Sequence, residues 1–285
     1  MKKINLGRHV FGLAGILFGL ITFVWHDFSI WQQIQPLGNV PHRAILAYLV
    51  AFIEIWGGVA IQFRRTARAG ALALGGIYLI FALLWIPRIA AEPTVYDRWG
   101  NIFEQLSQVA GALIIYSLFS KVDPSRAANA ARIGYYLFGI CVISFTLEQV
   151  FYLSGTAAFV PKWIPLSQMF WAYATTVFFA AAAIALLSGH FALLAARLLT
   201  LMIILFGLLI WLEAPIADPH QLTNWAGNAE NLSICGAAWI VMDYLCQQVV
   251  KTPLLPKPGR SGAPLDSQLH NGSATSTFIL GRLGD

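Results

Sequence analysis

Charge is scarce in this chain. Only 11% of its 285 residues are Asp, Glu, Lys or Arg, where a soluble domain carries about 25%. A water-facing surface cannot be built from so little charge. Cysteine is equally sparse. Cys141, Cys235 and Cys246 all fall inside apolar segments and no CxxC occurs, so neither a disulfide framework nor a thiol redox motif is indicated. No HExxH and no nucleotide-binding glycine loop appears, and no histidine sits mid-helix where a haem would need it. The sequence predicts no metal site.

What the chain has is apolar length. Hydrophobic residues make up 58% of it. They fall into eight blocks, roughly 9–25, 44–62, 69–86, 102–119, 133–153, 168–187, 192–212 and 229–250. Each is near the 17–25 residues that a bilayer-crossing helix needs. The expected fold class is therefore all-α: a polytopic membrane protein with eight transmembrane helices, its first partner the lipid bilayer. The basic head and apolar run of "MKKINLGRHVFGLAGILFGLITF" mimic a signal peptide, but no small-x-small site follows. It reads as a retained first helix.

The net charge of +5 raises the question of nucleic acid, and placement answers it. With the N-terminus inside, fourteen Lys and Arg fall on inner connections and four (Arg43, Arg88, Arg98 and Lys162) on outer ones. This is the positive-inside bias. It predicts both termini in the cytoplasm, in the cell (inner) membrane, and no nucleic-acid partner.

An internal repeat organises the chain. "RHVFGLAGILFG" at 8–19 resembles "RIGYYLFGICVI" at 132–143, and "LLW" at 83–85 matches "LIW" at 209–211. "WGNIFEQLS" from Trp99 resembles "WAGNAENLS" from Trp225. The expected organisation is a first four-helix repeat over 1–120, a cytoplasmic linker over 121–131, a second four-helix repeat over 132–250, and a disordered cytoplasmic tail over 251–285. An even number of spans per copy makes the two four-helix bundles parallel-related about an axis along the membrane normal.

Ionisable residues inside spans are costly, and each is a functional hypothesis by default. Glu54, in "AFIEIWGG", sits near the midplane, and its counterpart in the second copy is Phe179. Its bland reading is a hydrogen-bonded tie between helices. Glu148, with Gln149 beside it, falls in the outer leaflet. Glu104 and Glu230 fall at the same point of the two copies. Each is followed by an amide (Gln105, Asn231) and then a serine (Ser107, Ser233). Capping at the helix start would explain the carboxylates, with Asn101 and Glu104 at capping-box spacing. It would not explain the amides and serines, which fit an interior polar cluster. Eight tryptophans, among them Trp25, Trp31, Trp85, Trp99, Trp211 and Trp225, fall toward the outer end and none toward the inner. Aromatic-walled cavities opening outward, with Trp85 and Trp211 in their walls, would account for that excess. An apolar ring-shaped ligand such as a quinone, or a lipid head region, would suit them.

"FIEIWGGVAIQFRRTARAGALALGGIYLIF" at 52–81 resembles the DoxX-like membrane proteins. Glu54, Gly57 and Gly58, the basic turn Arg64 to Arg68 and the Ala-rich stretch after it carry the likeness. The resemblance implies a four-helix unit and an inner-membrane protein of poorly defined activity. Some relatives are linked to thiosulfate:quinone oxidoreduction or to oxidative-stress complexes. Only Glu54 is carried over as a functional residue. The expected function is an accessory or quinone-associated subunit of a membrane redox system, with a redox partner subunit and quinone as the implied cofactor. Glu54, Glu104, Ser107, Glu148, Gln149, Glu230, Asn231 and Ser233 are the ligand-binding or proton-exchanging candidates. A proton-coupled transporter of small solutes or lipids is the alternative, and a structural scaffold the third reading.

Overall fold

The structure is a computed structural model. It describes residues 5–29, 38, 40–120 and 123–251, with the side chains of residues 250 and 251 left aside. Residues 5–251 belong to one compact unit. The expected disordered tail, apart from Lys251, and Trp31 lie outside the described residues.

Eight helices are long and apolar enough to cross a membrane. They are α1 (Leu6–Trp25), α2 (Arg43–Gln62), α3 (Ala67–Leu84), α4 (Tyr96–Phe119), α5 (Pro124–Phe151), α6 (Gln168–Ser188), α7 (Ala192–Phe206) and α8 (Leu222–Lys251). Lipid offers no hydrogen bonds, so each apolar run closes its own backbone into a helix. Among the described residues there is no strand. Three elements start earlier than hydropathy alone indicates. α4 begins at Tyr96 and α8 at Leu222, in polar sequence outside the apolar core of each span. α5 begins at Pro124, so most of the expected linker is its first two turns. There the Asp123 side chain accepts from Ser125 N at 3.1 Å and Pro124 opens the first turn.

The helices follow one another round a closed circuit. Each packs on the next from α1 to α8, and α8 packs on α1. α4 and α8 also touch each other across the middle. The first helix of each quartet therefore lies against the last helix of the other: α1 on α8 and α5 on α4. Two bundles result with a shared wall, one core enclosed by α1, α2, α3, α4 and α8, the other by α5, α6, α7, α8 and α4.

Helices in lipid associate by close packing rather than by a hydrophobic drive, so small residues mark the tight seams. Around the first core these seams are glycine on backbone. A Cβ on Gly58 would fall 2.4 Å from the Gly12 carbonyl oxygen, and one on Gly70 would fall 2.5 Å from that of Gly57. The α1–α8 seam is as tight, with Gly236 against the Phe11 amide and Gly7 against that of Ile240. The second core is looser. Within the spans α6 and α7 only 28% of residues are buried, against 56% for α1, so those two helices mostly face lipid.

The third span of each quartet breaks near its end. α3 stops at Trp85 and resumes as the short helix Ile86–Ala91, with Pro87 in its first turn. α7 passes into a π-helical stretch, Gly207–Trp211, before the short helix Glu213–Ala217. The breaks, the α1–α2 and α5–α6 connections and the starts of α4 and α8 lie at one end of the molecule, the tryptophan end. The Arg64–Arg68 turn, Arg126 and Arg197 lie at the other, the arginine end.

Candidate functional site: a polar layer between α2, α3, α4 and α8

Polar groups of four helices meet inside the first bundle. Glu54 on α2 is fully buried. Tyr78 on α3 is also fully buried, its ring held edge-on between Phe11 and Phe18 of α1 at 6.2 and 6.3 Å. The two carboxylates of Glu54 and Glu230 lie within electrostatic reach of its hydroxyl. The Ser233 hydroxyl neighbours it too, but not at hydrogen-bonding geometry. Ser233, on α8, instead donates to Gln108 Oε1 on α4 at 2.9 Å, a fully buried bond.

The depths agree. Glu54, Gln108 and Ser233 each lie about eleven to twelve residues, or about 17 Å, from the tryptophan-end start of their helices. Tyr78 lies about eleven residues from the other end of α3. All four groups therefore share the middle of the membrane. Gln105 and Glu230 stand one turn nearer the tryptophan end.

The layer is rich in unused hydrogen-bonding capacity. Gln105 is fully buried, and neither of its amide atoms has a partner among the described residues. The same holds for Gln108 Nε2 and the Tyr78 hydroxyl. A buried polar atom left unpaired costs about 1–3 kcal/mol. Concentrating several in one layer is a poor way to hold helices together. It is a good way to receive a polar group.

The sequence-derived candidates divide. Glu54, Glu230 and Ser233 are in this layer. Ser107 is not equivalent to Ser233: its hydroxyl turns back to the Glu104 carbonyl of its own helix at 2.7 Å. Glu104 is half-buried. Capping does not explain either carboxylate, because both lie about eight residues inside their helices. Asn101 is no cap either, and donates to the Asp97 carbonyl at 2.6 Å.

Asn231 belongs to a different arrangement. Asn224, Asn228 and Asn231 share a face of α8. Their amides donate to the carbonyls of Ala214, Trp211 and Ile203, along the broken end of α7. A π stretch misaligns carbonyls that lipid cannot satisfy, and these asparagines satisfy them.

Glu148 sits apart, between α5 and α4. Its carboxylate rests on Gly100, where a Cβ would fall 2.8 Å from its oxygen. Asp97 is near, and Tyr96 donates to Ser144 Oγ at 3.0 Å beside it. Gln149 accepts from Thr175 and Thr176 of α6 at 3.2 and 2.9 Å, a tie between spans.

The tryptophans fill space more than they line it. Trp85 is fully buried under the Arg98 guanidinium. Trp211 presses its ring on Gly227. Trp99, Trp171 and Trp225 each donate their ring N–H to a proline carbonyl six residues earlier, at 3.1, 2.7 and 3.0 Å. They clasp the loops at the tryptophan end.

Sequence reasoning missed Tyr78 and Gln108 as members of the site, and it placed Gln105 in an interior polar cluster without naming it a ligand-binding candidate. The phenol lies in an apolar run, "GGIYLIF", and reads there as a core aromatic. The glutamines had one signal, an Asn101, Gln105, Gln108 stripe at helical spacing. Phe179, which the expected repeat aligns with Glu54, packs on Phe145 and Phe206 at 6.0 and 6.2 Å. The second core has no counterpart of the Glu54 carboxylate. No group of three or more metal-ligating side chains occurs among the described residues. No protein-family model, curated protein or solved structure matches the chain.

Proposed function

We propose that the chain is a DoxX-like protein of the cell (inner) membrane, with both termini cytoplasmic. On this reading it serves a membrane redox system as a quinone-associated accessory subunit, and the layer around Glu54 exchanges its protons. The observation that carries the reading is the meeting of Glu54, Tyr78 and Glu230 at mid-membrane beside unpartnered amides. A quinone carbonyl accepts hydrogen bonds, and the Tyr78 hydroxyl and the Gln105 and Gln108 amides can donate them. Its reduction to the quinol takes two electrons and two protons. The redox partner subunit delivers the electrons, and the carboxyl groups hand on the protons.

The polar row also favours exchange over passage. It runs down α4 and α8 from the tryptophan end and stops at Gln108. Beyond it α4 is apolar and buried from Val109 to Ala112 and again at Ile114 and Ile115. A polar row that reaches the layer from one end only suits proton delivery to a ligand that arrives through lipid.

The test is direct. Protein purified in mild detergent is extracted and its quinone content measured by mass spectrometry, for the wild type, Glu54→Gln and Tyr78→Phe. Retention in the wild type with loss of about tenfold in either variant supports the reading, since one or two lost hydrogen bonds are enough for that. A wild-type protein free of quinone ends it.

A second reading is a proton-coupled transporter of a small solute or lipid. It is favoured by the discontinuous α7, since broken helices line transporter sites. Uptake that persists unchanged in Glu54→Gln removes it.

A further inference from the structure

A groove of about 350 Å³ runs along the lipid-facing side of the α2–α3 hairpin. Phe52, Ile53 and Trp56 line it from α2, and Ala73, Gly76, Ile77 and Ile80 from α3. Its walls are apolar and open outward: Phe52, Trp56 and Ile80 are all exposed. Gly76 is its floor, where an added Cβ would meet no atom within 4 Å.

The turn of the same hairpin carries Arg64, Arg65 and Arg68. No carboxylate is within ion-pair distance of any of them among the described residues. Arg64 is held over the Phe119 ring at 5.8 Å, and Arg68 over the Tyr116 ring at 5.1 Å with a 3.4 Å bond to its hydroxyl. Aromatic stacking fixes both guanidiniums without neutralising them. Arg65 between them is exposed, with no ion-pair partner among the described residues.

Register joins the two features. The groove residues of α3 repeat at three- and four-residue intervals, and that stripe runs back to Ala69, next to the turn that carries the arginines. Along the helices the groove begins about 8 Å from the turn and ends about 20 Å from it. That is the depth of the acyl chains in one leaflet, about half of a 30 Å hydrocarbon core. A transmembrane partner helix would need a groove through both leaflets. We propose that the α2–α3 hairpin binds an anionic phospholipid, its phosphate on the Arg64–Arg68 turn and an acyl chain in the groove over Gly76. Clustered arginines at the end of an apolar inter-helix groove recognise such a head group. The proposal does not depend on the role of Glu54.

The test uses the full chain in nanodiscs of equal phosphatidylglycerol and phosphatidylcholine, with co-purified lipid counted by native mass spectrometry. The wild type is expected to enrich phosphatidylglycerol. Arg65→Gln should lower that enrichment by about fivefold. Gly76→Leu, whose Cβ meets no atom within 4 Å and whose side chain extends into the groove, should displace bound lipid of both kinds. Equal retention of the two lipids by the wild type would overturn the proposal. So would phosphatidylglycerol binding untouched by Gly76→Leu. So would full displacement of the lipid by inorganic phosphate, which would make the turn a free-anion site.

Discussion

Gly111 of α4 meets Ala237 of α8 where the two helices cross: a Cβ on Gly111 would stand 3.1 Å from that of Ala237. The spacing between them along the chain is the one that separates Trp99 from Trp225. Related points of the two WGN/WAG segments thus touch across the shared wall. The contact tolerates little growth. Gly111→Leu is expected to destabilise the protein by about 1–3 kcal/mol through overpacking. Gly76→Ala, which points into open space, should fall within about 0.5 kcal/mol of the wild type. Thermal unfolding in detergent compares the two, and equal melting temperatures would show that the crossing is slack.

One turn nearer the tryptophan end, the Ser233–Gln108 bond spans the same wall. Ser233→Ala leaves both amide atoms of Gln108 unpaired and should cost about 1–3 kcal/mol. Adding Gln108→Leu removes the stranded amide, and most of the loss should return. A double-mutant cycle reads this as a coupling energy. Strictly additive effects would contradict the pairing.

The Tyr78 ring and the Tyr78 hydroxyl have separable roles. Phe11 and Phe18 hold the ring, and only the hydroxyl faces the carboxylates. Tyr78→Phe should keep stability within about 1 kcal/mol, because the hydroxyl makes no hydrogen bond among the described residues. Tyr78→Ala should cost about 3–5 kcal/mol, as deletion of a buried aromatic does. If unfolding finds the two alike, the ring is not the structural element.

The broken end of α7 relies on α8. Asn228→Leu strips the Trp211 carbonyl of its 2.9 Å donor. The expected cost is modest, about 0.6–1.7 kcal/mol, in line with side-chain hydrogen bonds between membrane helices. Faster hydrogen exchange should be confined to residues 207–217. Protection unchanged in that stretch would mean that α8 does not hold the π segment.

At the opposite end, two bonds from Ser125 hold the exposed Asp123 carboxyl below its ordinary value of 3.8. A lowered carboxyl stabilises the fold above that value, and the benefit is lost as pH falls through the lower, folded one. Exchange in the first turn of α5 should accordingly rise below about pH 4. In Asp123→Asn that dependence should vanish.

The eight spans were legible because bilayer thickness sets a length that composition alone reveals. Their starts were less so: the first turns of α4 and α8 are polar and sit outside the apolar blocks. Glu54, Glu230 and Ser233 were legible as misplaced polar groups. Their meeting was not. The expected repeat aligns Glu54 with Phe179 and Glu104 with Glu230, and so compares positions between two stretches of sequence. It does not say that α8 of one quartet would stand against α1 and α4 of the other. Ser107 and Ser233 show the same limit. Similar motifs diverge because one hydroxyl finds a glutamine across the wall and the other only its own helix.

The seam between α1 and α8 also bears on assembly. Gly7 N donates to Asp243 at 3.2 Å and Gln247 reaches Asn5 at 3.4 Å, so two spans more than 200 residues apart in the chain zip together. Without α8 the Gly7 and Phe11 side of α1 has no mate and the circuit is an open arc. A ribosome stalled before residue 222 would leave α1 to α7 in the bilayer with the polar layer unwalled, the kind of exposed surface that quality-control proteases find.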